Sequence, residues 1–216
     1  MKINHLEQYL ELSAAEHDHL CPRQVLGVRT ALAGAAVLGM DVPRNDKKLL
    51  VIVETDGCFV DGIQAVTGCS AGHRTLRVKD YGKVAGTFIE VDTGNAVRVF
   101  PQLDVRGKAA DYAPEEDRRY FAQLIGYQRM PDSELLSLQR VRLFPPVEDI
   151  ISRPGVRVNC TRCGEEIINQ REVYQGGLTL CQPCASPAYY QPLDQPLSRA
   201  DPYRAPARLP EHETRF

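Results

Sequence analysis

Two cysteine pairs near the C-terminus constrain the fold of this chain more than any other feature. CTRC and CQPC are C-x2-C pairs separated by seventeen residues: Cys160, Cys163, Cys181 and Cys184. A two-residue gap lets both thiolates of a pair reach one ion, and four thiolates favour tetrahedral zinc. Because protein ligands fill all four positions, the spacing predicts a structural zinc in a small finger whose short chain cannot build a hydrophobic core.

Two other interpretations of these cysteines are a redox dithiol and an iron site, but a redox motif needs only one pair. Zinc fingers also bind nucleic acid. Between Val156 and Cys184, however, three arginines are matched by three glutamates. Four metal-bound thiolates then make the segment negative, which argues against contact with phosphates. A protein-contacting or core-capping role is favoured.

The bulk composition indicates an ordinary soluble chain. The 216 residues carry a net charge of −2, and 43% of them are hydrophobic. The N-terminus lacks the apolar run of a secretory signal. The longest apolar run, Ala31 to Met40, is about half of a membrane span and predicts a buried helix. Seven cysteines without a signal indicate a reducing compartment, so we expect a cytoplasmic protein without a membrane span.

Hydrophobic periodicity predicts an α+β core at about 1–150, with helices packed on a mostly antiparallel sheet. The predicted helices are 3–16, 22–38, 58–67, one opening at Pro114 and one in PDSELLSLQRV. Strands are predicted at 48–55, in TLRVKDY, and on both sides of Thr93-Gly94 as a hairpin. A linker at Ser152–Gly155 precedes the finger at 156–186. Six of the fifteen prolines fall in the last 31 residues, so 187–216 is predicted to be an extended tail.

A second group of metal ligands lies in HDHLCP, where His17, His19 and Cys21 alternate. Alternate side chains share one side only in an extended segment, which Pro22 favours at Cys21. Cys58 is predicted at the start of another helix, where the helix dipole would lower the thiol pKa as at Cys21. The alternative is a polar hinge with solvated histidines and small buried cysteines.

The stretch RTLRVKDYGK concentrates positive charge at Arg74, Arg77, Lys79 and Lys83. If Arg77 and Lys79 share a strand face, they could hold an anionic ligand. A solvated basic strand is the other interpretation.

HDHLCP, DGCFVDGIQAVTGCSAGHRTLRVKDYGKVAGTF and the two C-x2-C pairs, in this order, resemble the family of the formylmethanofuran dehydrogenase E-subunit. The resemblance covers nearly the whole chain except the tail, and it implies an α+β core followed by a treble-clef zinc finger. It also implies a core metal site at His17, His19, Cys21 and Cys58. Around that site it places Asp61, Gln64, Cys69 and Lys83. This chain departs from the family in having Arg23 after Cys-Pro, where glycine is usual.

The resemblance implies a metal-binding accessory or redox subunit of a molybdenum or tungsten oxidoreductase system in one-carbon metabolism related to methanogenesis. We expect Cys58, Asp61 and Lys83 to carry any catalysis, and a second transition metal (zinc, nickel or iron) in the core. Expected partners are protein subunits and a second copy of the chain, whereas nucleic acid is not expected. A stand-alone metal-dependent enzyme and a zinc-finger binding module remain alternatives.

Overall fold

The computed structural model describes residues 3–15 and 19–191. These residues separate into two units, one ending at Ser152 and one beginning at Arg153. The predicted tail from residue 192 onward, and His17 of the predicted core site, lie outside the described residues. Each helix within the described ranges is too short or too polar to span a lipid bilayer.

The first unit begins with helices close to the positions that the apolar spacing predicts. The helices of this unit are α1 (Ile3–Ala14), α2 (Pro22–Leu38), α3 (Cys58–Thr67), α4 (Val105–Lys108), α5 (Arg119–Arg129), α6 (Asp132–Leu135) and α7 (Val147–Ile150). A 3-10 turn at Ala109–Tyr112 connects to α4. Pro22 occupies the first turn of α2, where the missing N–H has no partner to lose, and Gly39 ends the helix in the left-handed conformation.

A five-stranded sheet lies in the order β2-β1-β3-β4-β5. Its strands are β1 (Leu49–Val53), β2 (Leu76–Val78), β3 (Gly86–Glu90), β4 (Ala96–Pro101) and β5 (Leu136–Val141). The β1–β2 pair is parallel, and the other pairings are antiparallel. The predicted hairpin joins β3 to β4, with Gly94 at φ +72° in the turn. The predicted α+β class with a mostly antiparallel sheet is confirmed.

The backbones of helices α2 and α3 come into direct contact at two glycines. A Cβ on Gly27 would lie 2.2 Å from the carbonyl oxygen of Phe59. One on Gly62 would lie 2.4 Å from the carbonyl oxygen of Gln24. This backbone-to-backbone contact brings the two helices close together along their first turns. It therefore controls how near Cys21, just before α2, lies to Cys58, the first residue of α3.

A buried arginine fixes the end of α5. The Arg29 guanidinium on α2 donates to the carbonyl oxygens of Tyr127 and Met130 at 2.7 and 2.8 Å. It also donates to the Asp132 carboxylate at 2.6 Å. The last carbonyls of a helix have no partner inside the helix, so Arg29 satisfies them from a neighbouring element. Helix α5 is thereby held against α2.

Two predicted elements differ in the structure. The helix expected from Pro114 begins only at Arg119, and the Glu115 carboxylate pairs with Arg129 at 2.6 Å instead of occupying a first turn. The helix expected in PDSELLSLQRV stops at Leu135, and Leu136–Val141 forms edge strand β5. Pairing with β4 supplies backbone hydrogen bonds that outweigh the local helical pattern.

The second unit contains two short hairpins and one helical turn. Strand β6 (Arg157–Asn159) pairs with β7 (Glu166–Ile168), and β8 (Val173–Gln175) pairs with β9 (Leu178–Leu180). Helix α8 (Gln182–Ala185) follows. The small core of this second unit consists of Cys160, Ile167 and Leu180. A core of this size cannot stabilise a fold by itself, which agrees with a need for a bound ion.

Candidate functional site

The four finger cysteines come together at one point. Each offers a sulfur atom, and the four atoms lie within 4.8 Å of one another. The sulfurs of Cys163 and Cys181 are 3.7 Å apart. Cys160 is buried, whereas Cys163 is exposed. The number, softness and spacing of these donors fit a tetrahedral ion, and the cluster could hold a metal ion such as zinc.

Backbone turns position these thiols. The Cys160 N–H donates to the Glu165 carbonyl at 2.9 Å, and the Gly164 N–H donates back to the Cys160 carbonyl at 2.9 Å. Gly164 has φ +79°, which a side chain would disfavour. In the second pair, Cys181 caps α8 and its carbonyl accepts from the Cys184 N–H at 3.0 Å. Each C-x2-C pair therefore presents its sulfurs on one side of a tight turn.

The electrostatics of the cluster also suit a cation. The backbone N–H groups of Cys163 and Cys181 lower the pKa of the Cys160 thiol to about 6. Hydrogen bonding with Cys181 and, to a smaller extent, burial raise the pKa of Cys184 to about 12. Cys160 thus ionises more readily than Cys163 or Cys184, and further negative charge on the cluster is opposed unless a cation is present.

In the core unit, Cys21 and Cys58 form a pair of neighbouring thiols. Cys21 has the extended backbone that the H-x-H-x-C argument requires, with φ −121° and ψ 160°. Its N–H donates to the Gln24 side chain at 2.8 Å. Cys58 begins α3, and its thiol lies near enough to that of Cys21 for the Cys21 thiol to raise its pKa. The close approach of α2 to α3 at Gly27 and Gly62 thus brings near each other two cysteines that are 37 positions apart in the sequence.

The expected activation of Cys58 by its helix is wrong. Burial raises the pKa of the Cys58 thiol, and the hydrogen bond with Cys21 and the charge of Asp61 raise it further. These effects outweigh the helix N-terminus, whose influence on a partly buried thiol is smaller than the cost of desolvating its anion.

The structure places only part of the predicted core ligand set. His19 is exposed in a bend two residues before Cys21. Among the described residues, the four finger cysteines are the only compact group of three or more metal-ligating side chains. His19, Cys21 and Cys58 do not form such a group.

Of three further predicted residues in α3 and at its end, Asp61 and Gln64 lie together and Cys69 lies apart from them. Asp61 acts electrostatically on Cys58 and lines a cavity of about 250 Å³ together with Gln64. Cys69 lies beyond the end of α3, is 1% exposed, and contacts the Leu49 carbonyl at 3.5 Å. Burial raises the pKa of its thiol. Cys69 is therefore part of the hydrophobic core.

The basic stretch is partly engaged with the protein itself. The Arg77 guanidinium on β2 donates to the Ser152 hydroxyl at 2.8 Å. Lys83 is exposed, and its charge lowers the pKa of Glu54, although Arg98 contributes more. Glu54 follows β1 and accepts from Arg98 at 2.6 and 2.7 Å. Lys83 thus faces a paired carboxylate.

Cys21 also lines a second cavity, of about 320 Å³, most of whose other lining residues the motifs did not indicate. Arg23 contributes from α2, Arg106 from α4, and Tyr120 and Gln123 from α5. Burial raises the pKa of Tyr120. The charges of Cys21 and Cys58 lie close enough to the Tyr120 hydroxyl to raise this pKa further. Periodicity could not identify these residues because they come together only through helix packing.

The fold and the sites define an α+β core joined in sequence to a four-cysteine, metal-binding finger. The family model described as "FmdE, Molybdenum formylmethanofuran dehydrogenase operon" matches residues 16–137, more than half of the chain. The chain belongs to this family, which confirms the resemblance seen in the sequence.

A crystal structure from Syntrophus aciditrophicus is similar in fold. It is that of an FmdE-like protein, named after the E-subunit of tungsten formylmethanofuran dehydrogenase. The TM-score is 0.54 at 24% identity, covering 86% of this chain and 95% of that one. A probable S-adenosyl-L-methionine-binding protein of Archaeoglobus fulgidus is 36% identical over 87 residues. That match covers 39% of this chain and spans about a quarter (24%) of the relative's length.

Proposed function

We propose that this protein is a metal-binding accessory or redox subunit of a molybdenum- or tungsten-dependent oxidoreductase system that acts on one-carbon units. The observation that carries the proposal is the pair of thiols, Cys21 and Cys58, at the adjoining ends of α2 and α3. Both lie within the segment that the family model matches. The names of that family and of the similar solved structure both refer to a formylmethanofuran dehydrogenase.

The core site would hold a transition metal between Cys21 and Cys58, with His17 and His19 as the imidazole ligands. Two thiolates and two imidazoles suit zinc, nickel or iron. Such an ion, when bound, would supply electron transfer or Lewis acidity. Burial raises the pKa of the Cys58 thiol, so a bound cation would favour its ionised form. Asp61, whose charge acts on Cys58, and Lys83 are the proposed proton-carrying groups.

The finger would contact protein subunits of the same system. Tyr174 and Tyr189 are 72% and 98% exposed, and Ile168 is also exposed, on a unit with very little core of its own. Exposed aromatic side chains are common anchors at protein interfaces. Contact with a second copy of the chain, and a cytoplasmic location, belong to the same proposal.

Turnover and the number of bound metals separate two other functions from this one. A stand-alone enzyme would use the core metal or Cys58 as nucleophile and would show turnover without partner subunits. A plain binding module would carry the finger metal alone.

Elemental analysis of purified protein tests the core site. We expect two metal ions per chain in the wild type and one in the double variant His17→Ala/Cys58→Ser. Cys69→Ala is the matched control, because Cys69 lies in the hydrophobic core, and it should retain both ions. One ion per chain in the wild type, with no loss in the double variant, would show that no core metal site exists.

A further inference from the structure

We infer that the 320 Å³ cavity beside Cys21 binds a small organic anion with an apolar body, such as a carboxylate or phosphate ester. This inference rests on the proposed function, for which it names the chemical class of ligand presented to the thiol pair. The core-metal proposal does not require a bound anion, so an experiment can reject either proposal without rejecting the other.

The charge at the cavity favours an anion. Arg23 and Arg106 line the cavity from different helices, and both are exposed. Neither guanidinium forms an ion pair within residues 3–15 and 19–191. By contrast, Arg29, Arg44, Arg98 and Arg129 each pair with a carboxylate. Two arginines that have no ion-pair partner in the part of the chain that the structure describes lie at one opening. They attract a carboxylate or phosphate, which guanidinium groups bind in bidentate geometry.

Neutral hydrogen-bonding groups lie beside the two arginines. Tyr120 and Gln123 are three residues apart on α5, so they share the helix face that lines the cavity. The Tyr120 hydroxyl and the Gln123 amide can each donate to an anion's oxygen. Because Tyr120 also senses the charges of Cys21 and Cys58, its side chain connects the cavity to the thiol pair.

The remaining wall of the cavity is apolar. Leu26 and Val84 line it, with Pro22 beside Cys21. Tyr127 forms another part of this wall and is only 2% exposed. The charge of Arg106 acts on its hydroxyl, partly offsetting the rise in the Tyr127 pKa that burial causes. The two exposed arginines therefore lie at the opening of a cavity whose remaining wall is apolar. A volume of 320 Å³ is at the small end of ligand pockets and suits a compact ring or a branched alkyl group.

The combination distinguishes an organic anion from two simpler ligands. Inorganic phosphate would satisfy the guanidinium groups but leave the apolar wall in contact with water. A neutral apolar molecule would cover that wall but leave both positive charges unpaired. A ligand with both parts should bind more tightly than either.

The test uses full-length protein and four probes: benzoate, phenyl phosphate, benzyl alcohol and inorganic phosphate. Binding is measured by backbone amide chemical-shift titration. We expect benzoate or phenyl phosphate to bind at least about tenfold more tightly than benzyl alcohol and inorganic phosphate, with shifts around Leu26, Val84 and Gln123. A preference between the two anions would tell whether the natural ligand carries a carboxylate or a phosphate.

Arg23→Ala and Arg106→Ala should each weaken binding of the preferred anion about tenfold. Arg140→Ala is the matched control, because Arg140 is exposed on edge strand β5 and does not line the cavity, and it should have no effect. Equal binding of anions and benzyl alcohol, binding unaffected by both cavity variants, or no binding of either organic anion would overturn the inference. Metal content measured on the same samples separates this result from the core-metal proposal.

Discussion

Two charged side chains of the core unit, Arg29 and Glu54, are buried, and each is held by hydrogen bonds. Arg29 is 5% exposed and Glu54 is 8% exposed. Arg29 satisfies the carbonyls at the end of α5, and Glu54 forms a two-point ion pair with Arg98. Arg98 also stacks on the Phe100 ring, with its central carbon 4.6 Å from the ring centre. Because such charges are costly to leave unpaired, they stabilise one arrangement of the helices and strands.

Loss of the Glu54 partner should destabilise the protein in a pH-dependent manner. Arg98→Met leaves a mostly buried carboxylate unpaired and should lower the free energy of unfolding by roughly 2–4 kcal/mol at pH 7. Arg98 holds the pKa of Glu54 below its usual value of 4.5, so this stabilisation is complete above that pH. The stabilisation is lost as the pH falls through the lowered pKa that Glu54 has in the folded protein.

Urea unfolding of wild type and Arg98→Met at pH 7 and in increasingly acidic buffer measures this effect, and the difference between them should shrink below about pH 4. Lys48→Met removes an exposed partner of Asp92 and should change stability by less than about 1 kcal/mol. A difference that stays constant over the acid range would show that Arg98 acts through packing alone.

At the scale of elements, the α2–α3 contact determines whether the thiol pair exists. Gly27 and Gly62 allow the two helix backbones to meet, and the helices begin next to Cys21 and Cys58. Any side chain at these glycines must push the helices apart, because the obstructing atoms are carbonyl oxygens that cannot rotate away. The site and the packing therefore depend on the same contact.

Gly27→Ala and Gly62→Ala should each destabilise the protein by roughly 1–3 kcal/mol and reduce metal binding in the core. Gly107→Ala is the control, since a Cβ at that position would meet no atom within 4 Å and the backbone there is helical. It should be neutral or slightly stabilising. Thermal unfolding together with elemental analysis checks both effects. Unchanged stability in the α2–α3 variants would contradict the close contact.

At the scale of the whole molecule, the chain divides at Ser152 into units stabilised in different ways. The first unit buries a continuous core beneath its sheet, including Val25, Phe59 and Phe88. The second has a three-residue core and four converging thiols. Hydrophobic burial thus stabilises one unit, and metal binding is expected to stabilise the other.

Cys160→Ser/Cys181→Ser should remove one metal ion and unfold the finger while the core unit stays folded. Amide spectra of the full chain should lose the dispersed signals of residues 157–185 and retain those of α2, α3 and the five-stranded sheet. His73→Ala, an exposed change in the first unit, should leave both sets unaltered. Loss of core signals in the double cysteine variant would show that the two units do not fold separately.

The sequence alone determined those features whose cause is local. Two C-x2-C pairs with suitably placed glycines predict the finger, because short spacing limits which sulfurs can meet. Pro22 marks the start of α2 and Gly68 marks the end of α3, because proline and glycine favour the backbone conformations found there. Thr93-Gly94 marks the hairpin turn. Membership of the family also followed from motif order, as the match over residues 16–137 confirms.

Tertiary structure alone decided the features that depend on distant partners. Leu136–Val141 is a strand because β4 lies beside it, and Glu115 pairs with Arg129 instead of lying in the first turn of a helix. The Cys58 thiol has a raised pKa because folding buries it against Cys21. The anion cavity takes Arg23, Arg106 and Tyr120 from three helices. Their separation along the chain carries no local signal, and only the packing of the helices brings their charges and hydroxyl to one opening.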